Sequence, residues 1–116
     1  MSVKRIVANL SVDNASETGL FYQSIFGLEL LMDLGWIRTY GSSTTMPVQV
    51  SVAEQGGSET AVPDLSIEVD NFDEVLQRVE AHNITIEYGP ITEPWGVTRF
   101  FIRDPCGNLM NVLKHT

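Results

Sequence analysis

Three carboxamides, Asn9, Gln49 and Asn111, and two carboxylates, Asp64 and Glu68, are the side chains whose types and spacing suit them to binding chemistry. Amides both donate and accept hydrogen bonds, and carboxylates pair with cations. Four aromatic residues, Trp36, Tyr40, Trp95 and Phe101, lie in or beside the same stretches. Aromatic surface with a few placed polar groups is what small-molecule sites are made of. Taken singly, each ring reads better as packing than as ligand contact. Trp95, between Glu93-Pro94 and Gly96, is the best candidate for a rim position. Arg38 and Arg99 read as occupying matching places in two repeated stretches, where they either bind an anion or pair with surface carboxylates, and the second is the safer reading. No Ser-His-Asp arrangement, phosphate loop or zinc-type cysteine spacing is visible. Cys106 sits in a turn without a neighbouring histidine to activate it and reads as incidental.

The elements that must position these residues are legible in order. Arg5 to Val12 alternate, with Ile6, Ala8, Leu10 and Val12 on one side and Arg5, Val7, Asn9 and Ser11 on the other, which predicts a strand with one buried face. Asn14 with Glu17 resembles a capping box. Leu20, Phe21, Ile25 and Leu28 follow at helical spacing, and Gly27 supplies the stop. Leu28 to Leu34, Trp36 to Tyr40 and Val48 to Val52 predict three further strands, with turns at Gly35 and at Gly41-Ser42-Ser43. Residues 54–63 have the glycine, serine and proline content of a linker.

The pattern then begins again. Val69-Asp70-Asn71 repeats Val12-Asp13-Asn14 at an interval of 57 positions, and Glu74 matches Glu17. Phe72, Val75, Leu76 and Val79 predict the buried side of a second helix that ends at Asn83, with a strand expected at Ile84 to Glu87. Two runs rich in β-branched and aromatic residues flank Asp104-Pro105-Cys106-Gly107-Asn108, where proline and glycine favour a turn, so the end of the chain reads as a β-hairpin. Each half is one supersecondary unit that cannot cover its apolar face alone. The units are residues 1–53 and 64–116 of a single domain.

Phe21-Tyr22 followed by Gly27-Leu28-Glu29, and the tail Arg99-Phe100-Phe101-Ile102-Arg103-Asp104-Pro105 with Gly107-Asn108-Leu109, resemble signatures of the vicinal oxygen chelate superfamily, which holds glyoxalase I, extradiol dioxygenases and bleomycin-resistance proteins. The resemblance covers essentially the whole chain. It implies an α+β fold, the glyoxalase/bleomycin resistance protein fold, in which two tandem βαβββ units form a curled mixed-sheet cup with the helices outside and the ligand inside. It also implies association into a homodimer. Strand parity then gives the inward set: Arg5, Val7, Asn9, Ser11, Gln49, Ser51, Asp64, Ser66, Glu68, Leu109, Asn111 and Leu113.

By the same resemblance, the metal ligands of the family's enzymes would fall at Val7, at Gln49 or Ser51, at Asp64 and at Asn111. Valine cannot coordinate, and amides offer only weak neutral oxygens. Neither His82, at the end of the second helix, nor His115 fills the gap. No metal and no cofactor are therefore expected. The expected function is that of a metal-free small-molecule-binding protein similar to the bleomycin-resistance branch, with Asn9, Trp36, Gln49, Asp64, Glu68, Trp95, Phe101 and Asn111 as ligand contacts. The alternative is a family enzyme, such as an isomerase, lyase or dioxygenase-like protein, with an atypical metal set or with Asp64 or Glu68 as a base.

Composition bounds the partners. Fifteen acidic against seven basic residues give a net charge of -8, which repels nucleic acid and anionic lipid and favours a cationic or aromatic small molecule. A single cysteine and the three-residue apolar run after Lys4-Arg5 predict a cytoplasmic protein without a signal peptide or membrane span.

Overall fold

Alternation and capping produce most of the expected elements with shifts of boundary, although Ile6, Ala8 and Leu10, on the side of the first strand expected to be buried, are exposed. The computed structural model describes residues 3–42, 49–105 and 107–116; the turn assigned to Ser43, the strand start at Val48 and the reading of Cys106 lie outside them. The architecture is α+β, with two βαβββ units in tandem. In order, the elements are β1 (Val3–Ser11), α1 (Ala15–Phe26), β2 (Glu29–Asp33), β3 (Ile37–Gly41), β4 (Gln49–Ala53), β5 (Leu65–Val69), α2 (Phe72–Ala81), β6 (Tyr88–Glu93), β7 (Val97–Arg103) and β8 (Leu109–His115). The chain divides into two compact units, Val7–Val62 and Met1–Ile6 with Pro63–Thr116.

In the unit Val7–Val62 the strand order is β2-β3-β4-β1, with β1 and β4 parallel and the other pairs antiparallel. Asn14 caps α1 by accepting from the Glu17 N–H at 2.9 Å, and Gly27 closes it in the left-handed conformation at φ 66°. The Glu54 carboxylate also accepts the Ala15 N–H at 2.9 Å. The core is Ala15, Tyr40 and Val52, joined by Val12, Tyr22, Leu28 and Val50. Here the helical-spacing expectation fails. Leu20, Phe21 and Ile25 are exposed, because Gly19 rather than a large side chain faces the sheet and the Tyr40 ring fills the space a Cβ there would need.

The other unit repeats the topology, with strand order β6-β7-β8-β5 and β5 parallel to β8. Phe72 and Val79 of α2 pack on Val69, Phe100 and Val112, with Val75 and Leu76 partly buried beside them, as the sequence predicts. Asn83 takes a left-handed φ of 55° after α2. Ile84 to Glu87 do not form the expected strand. Ile86 joins the core from irregular backbone, and the strand starts at Tyr88, where Gly89-Pro90 sits in a bulge of an edge strand that tolerates proline. The equivalent edge strand β2 has a matching irregularity at Leu30/Met32. At the hairpin, the Asp104 carboxylate accepts the backbone and side-chain N–H groups of Asn108 at 2.9 and 2.8 Å.

Candidate functional site

In the unit containing β5 to β8, α2 covers the face that carries Ile67, Phe100 and Val112, so their sequence neighbours point to the opposite face. There the pairing register makes a row of Ser66, Asn111, Phe101 and Tyr88 across β5, β8, β7 and β6. A second row is Glu68, Leu113 and Arg99. Ser66, Glu68, Leu109, Asn111 and Leu113 thus share the face that parity predicts.

The electrostatics of this face are largely internal. Arg99, 3% exposed, donates from Nε and Nη2 to Glu93 Oε2 at 2.8 and 2.6 Å, and Glu93 is 4% exposed. The Tyr88 hydroxyl donates to the same oxygen at 2.8 Å. The guanidinium carbon lies 5.2, 5.0 and 4.8 Å from the ring centroids of Tyr88, Trp95 and Phe101, so three aromatic faces and one carboxylate enclose the cation. The surface-pairing reading of Arg99 is therefore corrected: its partner is a buried carboxylate, Glu93. Arg38 pairs with Asp33 at 3.3 Å. The two arginines are not counterparts either, because Thr39 is the residue that, like Arg99, precedes the helix-facing aromatic of its unit.

Glu68 forms a second charged group. Its carboxylate accepts from Arg5 Nε at 2.6 Å, meets His115 Nδ1 at 2.9 Å and lies 3.6 Å from Lys4 Nζ. Burial alone would raise its pKa, but the hydrogen bonds from His115 and Arg5 and their charges hold it below the usual carboxylate range. Asp64 is exposed, and Oδ2 accepts the Leu109 N–H at 2.8 Å, which fixes the start of β8. Asn111 donates from Nδ2 to Ser66 Oγ at 3.1 Å.

The remaining predicted contacts lie in the unit Val7–Val62. Asn9 stands opposite Ser51 and Gln49 opposite Gly41, and both are half-buried. Ser51 bonds Thr39 at 2.7 Å between the side-chain oxygens. Half-buried Trp36 precedes β3, and its carbonyl accepts the Glu54 N–H at 2.8 Å. Tyr40 belongs to the core beneath α1. Tyr88, Glu93 and the part played by His115 were not foreseen from sequence. His115 was within reach, since it continues the two-residue step from Asn111 through Leu113. Glu93 gave no such signal, because the strand that carries it was placed four residues too early.

The donor set does not fit a catalytic divalent ion. Of the four positions implied by the resemblance, Val7 has no donor, Gln49 and Asn111 are amides, and one Asp64 oxygen already accepts an N–H. Among the described residues no group of three or more His, Cys, Asp or Glu side chains could hold a metal. Nor is any described helix long and apolar enough to cross a membrane.

Comparison with known proteins supplies the family context. The model of the Glyoxalase/Bleomycin resistance protein/Dioxygenase superfamily matches residues 4–112. No curated protein matches. Among solved structures, one described as an NAD-dependent benzaldehyde dehydrogenase from Legionella pneumophila has a TM-score of 0.76 at 16% identity, over 97% of this chain and 100% of that one. A glyoxalase/bleomycin resistance protein/dioxygenase superfamily member from Vibrio splendidus has a TM-score of 0.67 at 16% identity, covering 97% and 99%. A variant methylmalonyl-CoA epimerase from Streptomyces coelicolor, in complex with 2-nitronate-propionyl-CoA, has a TM-score of 0.74 at 15% identity, covering 99% of each. At such identities the likeness is one of fold.

Proposed function

The chain belongs to the Glyoxalase/Bleomycin resistance protein/Dioxygenase superfamily, and on that premise we propose that it binds a small molecule without a metal, in the manner of bleomycin-resistance proteins. One observation carries the proposal: Asn111 stands where the resemblance implies a metal ligand, and its amide nitrogen is engaged by Ser66. A neutral, hydrogen-bonded amide beside Phe101 and Leu113 suits recognition by shape and hydrogen bonding rather than Lewis-acid chemistry. The acid–base alternative has less support. A general base works best with a pKa near the working pH, and Glu68 is shifted the other way.

Two further features belong to the same proposal. The exposed apolar residues of α1 and β2 support a homodimer. The single cysteine and the acidic charge support a cytoplasmic protein that avoids nucleic acid and membranes.

The test is thermal unfolding, followed by circular dichroism, with bleomycin as a cationic glycopeptide, daunomycin as a planar aromatic and methylmalonyl-CoA as an enzyme substrate. Saturating an antibiotic site at 100 times its Kd adds about 2.7 kcal/mol of stability, a clear rise in midpoint. No stabilisation by either antibiotic, together with turnover of methylmalonyl-CoA, overturns the proposal. So does stoichiometric zinc, nickel, manganese or iron in protein purified without chelators.

A further inference from the structure

Half of the Asn111 amide is satisfied and half is not. Nδ2 donates to Ser66 Oγ, whereas Oδ1 is shielded from solvent and has no hydrogen-bond partner among the described residues. The residue as a whole is 8% exposed. Nearly all buried acceptors in folded proteins are met, and an unmet one costs about 1–3 kcal/mol. Three of its neighbours on the same sheet face cannot meet it, and the Ser66 hydroxyl opposite on β5 is the group that accepts from Nδ2. Leu109 and Leu113 lie two residues to either side on β8, and Phe101 stands directly opposite on β7; all three are buried and none carries a side-chain donor. Beyond Phe101, whose ring centroid is 5.2 Å from that of Tyr88, the Tyr88 hydroxyl already donates to Glu93.

We infer that Asn111 Oδ1 is the acceptor for an uncharged N–H or O–H group carried on an apolar ring system, and that this atom selects the ligand. The inference rests on the small-molecule proposal and narrows it. Leu109, Leu113 and Phe101, the side chains beside Asn111 on β8 and β7, are aliphatic and aromatic, which fits a ring. The carboxylates nearest along the sheet are committed, Glu68 to Arg5 and His115 and Glu93 to Arg99 and Tyr88. A cationic head here would lose its hydration without a free counter-charge, whereas a neutral donor loses far less and gains a hydrogen bond in apolar surroundings. A ligand of the same shape that offers an acceptor instead sets two lone pairs against each other.

The isosteres indole and benzofuran separate these cases, because they differ in outline by little more than N–H against O. Isothermal titration of the wild-type protein with each is expected to favour indole by about tenfold, the equivalent of one net hydrogen bond. Asn111→Leu erases the preference, and Asn111→Asp, which keeps an acceptor, retains it. Equal affinity for the two probes overturns the inference. So does binding of neither, which leaves a buried water as the partner of Oδ1. If neither bicycle binds while bleomycin or daunomycin stabilises the protein, the inference fails and the binding proposal stands. Selective indole binding with no antibiotic response supports the inference and removes the likeness to bleomycin-resistance proteins.

Discussion

Arg99 and Glu93 show how much of this protein's chemistry is directed inward. Their side chains are 4% and 3% exposed, and removing one member of such a pair leaves the other charged and desolvated. Glu93→Gln is expected to destabilise the protein by about 3–5 kcal/mol, read from the midpoint of urea unfolding. The double variant Arg99→Met with Glu93→Leu recovers much of that loss, since a well-packed apolar pair often does as well as a buried ion pair. Glu68 behaves differently because it titrates. Its folded pKa lies below 4.5, so its contribution is complete above that value and disappears as pH falls through the folded pKa. The stability gap between wild type and Glu68→Gln is therefore expected at neutral pH and to close in acid, below pH 4.5, when unfolding midpoints are compared. A gap that persists unchanged in acid contradicts this assignment. At this scale the sequence revealed which side of a strand Ser66, Glu68 and Asn111 occupy, because parity is a local property. It hid the burial of Arg99, which depends on a carboxylate delivered by a different strand.

The elements were legible where a backbone rule acts over a few residues and illegible where packing decides. Asn14 and Gly27 mark both ends of α1 correctly. The buried face of α1 was misread because Leu20, Phe21 and Ile25 have the right spacing and Gly19 looks like a gap. In the structure that gap holds the Tyr40 ring, and a Cβ on Gly19 would meet the Tyr40 hydroxyl at 1.8 Å. Helix propensity alone favours alanine over glycine by about 1 kcal/mol, yet Gly19→Ala is expected to lower the unfolding midpoint, because α1 must lift off β3 to fit it. Tyr40→Phe in the same background restores only part of the loss, since ring atoms at 2.5 and 2.9 Å still obstruct the methyl group. A stabilised Gly19→Ala protein in thermal melts rules this packing out. The displaced strand β6 has a comparable cause. Gly89-Pro90 reads as a breaker in sequence, and only the pairing with β7 shows that an edge strand accommodates it.

For the whole molecule, the duplicated pattern foretold the architecture, since two units of one topology follow from a repeat that recurs at 57 positions. What covers the apolar residues that neither core uses is a separate matter. Leu20 and Phe21 are 59% and 53% exposed, Ile25 and Phe26 are both 63%, and Leu30 and Leu31 of β2 are 41% and 47%. The rings of Phe21 and Phe26 pack edge-on at 5.9 Å, so these two share one exposed apolar surface. Fully burying one such side chain contributes about 1.5–3 kcal/mol, and several together can offset the cost of association. The proposed homodimer predicts a sedimentation coefficient for two chains at micromolar concentration. Phe21→Glu with Ile25→Glu is expected to shift the protein to a monomer while circular dichroism stays unchanged, because neither side chain belongs to the Ala15–Tyr40–Val52 core. A wild-type monomer at the same concentration, or a variant that remains dimeric, removes α1 as the contact surface.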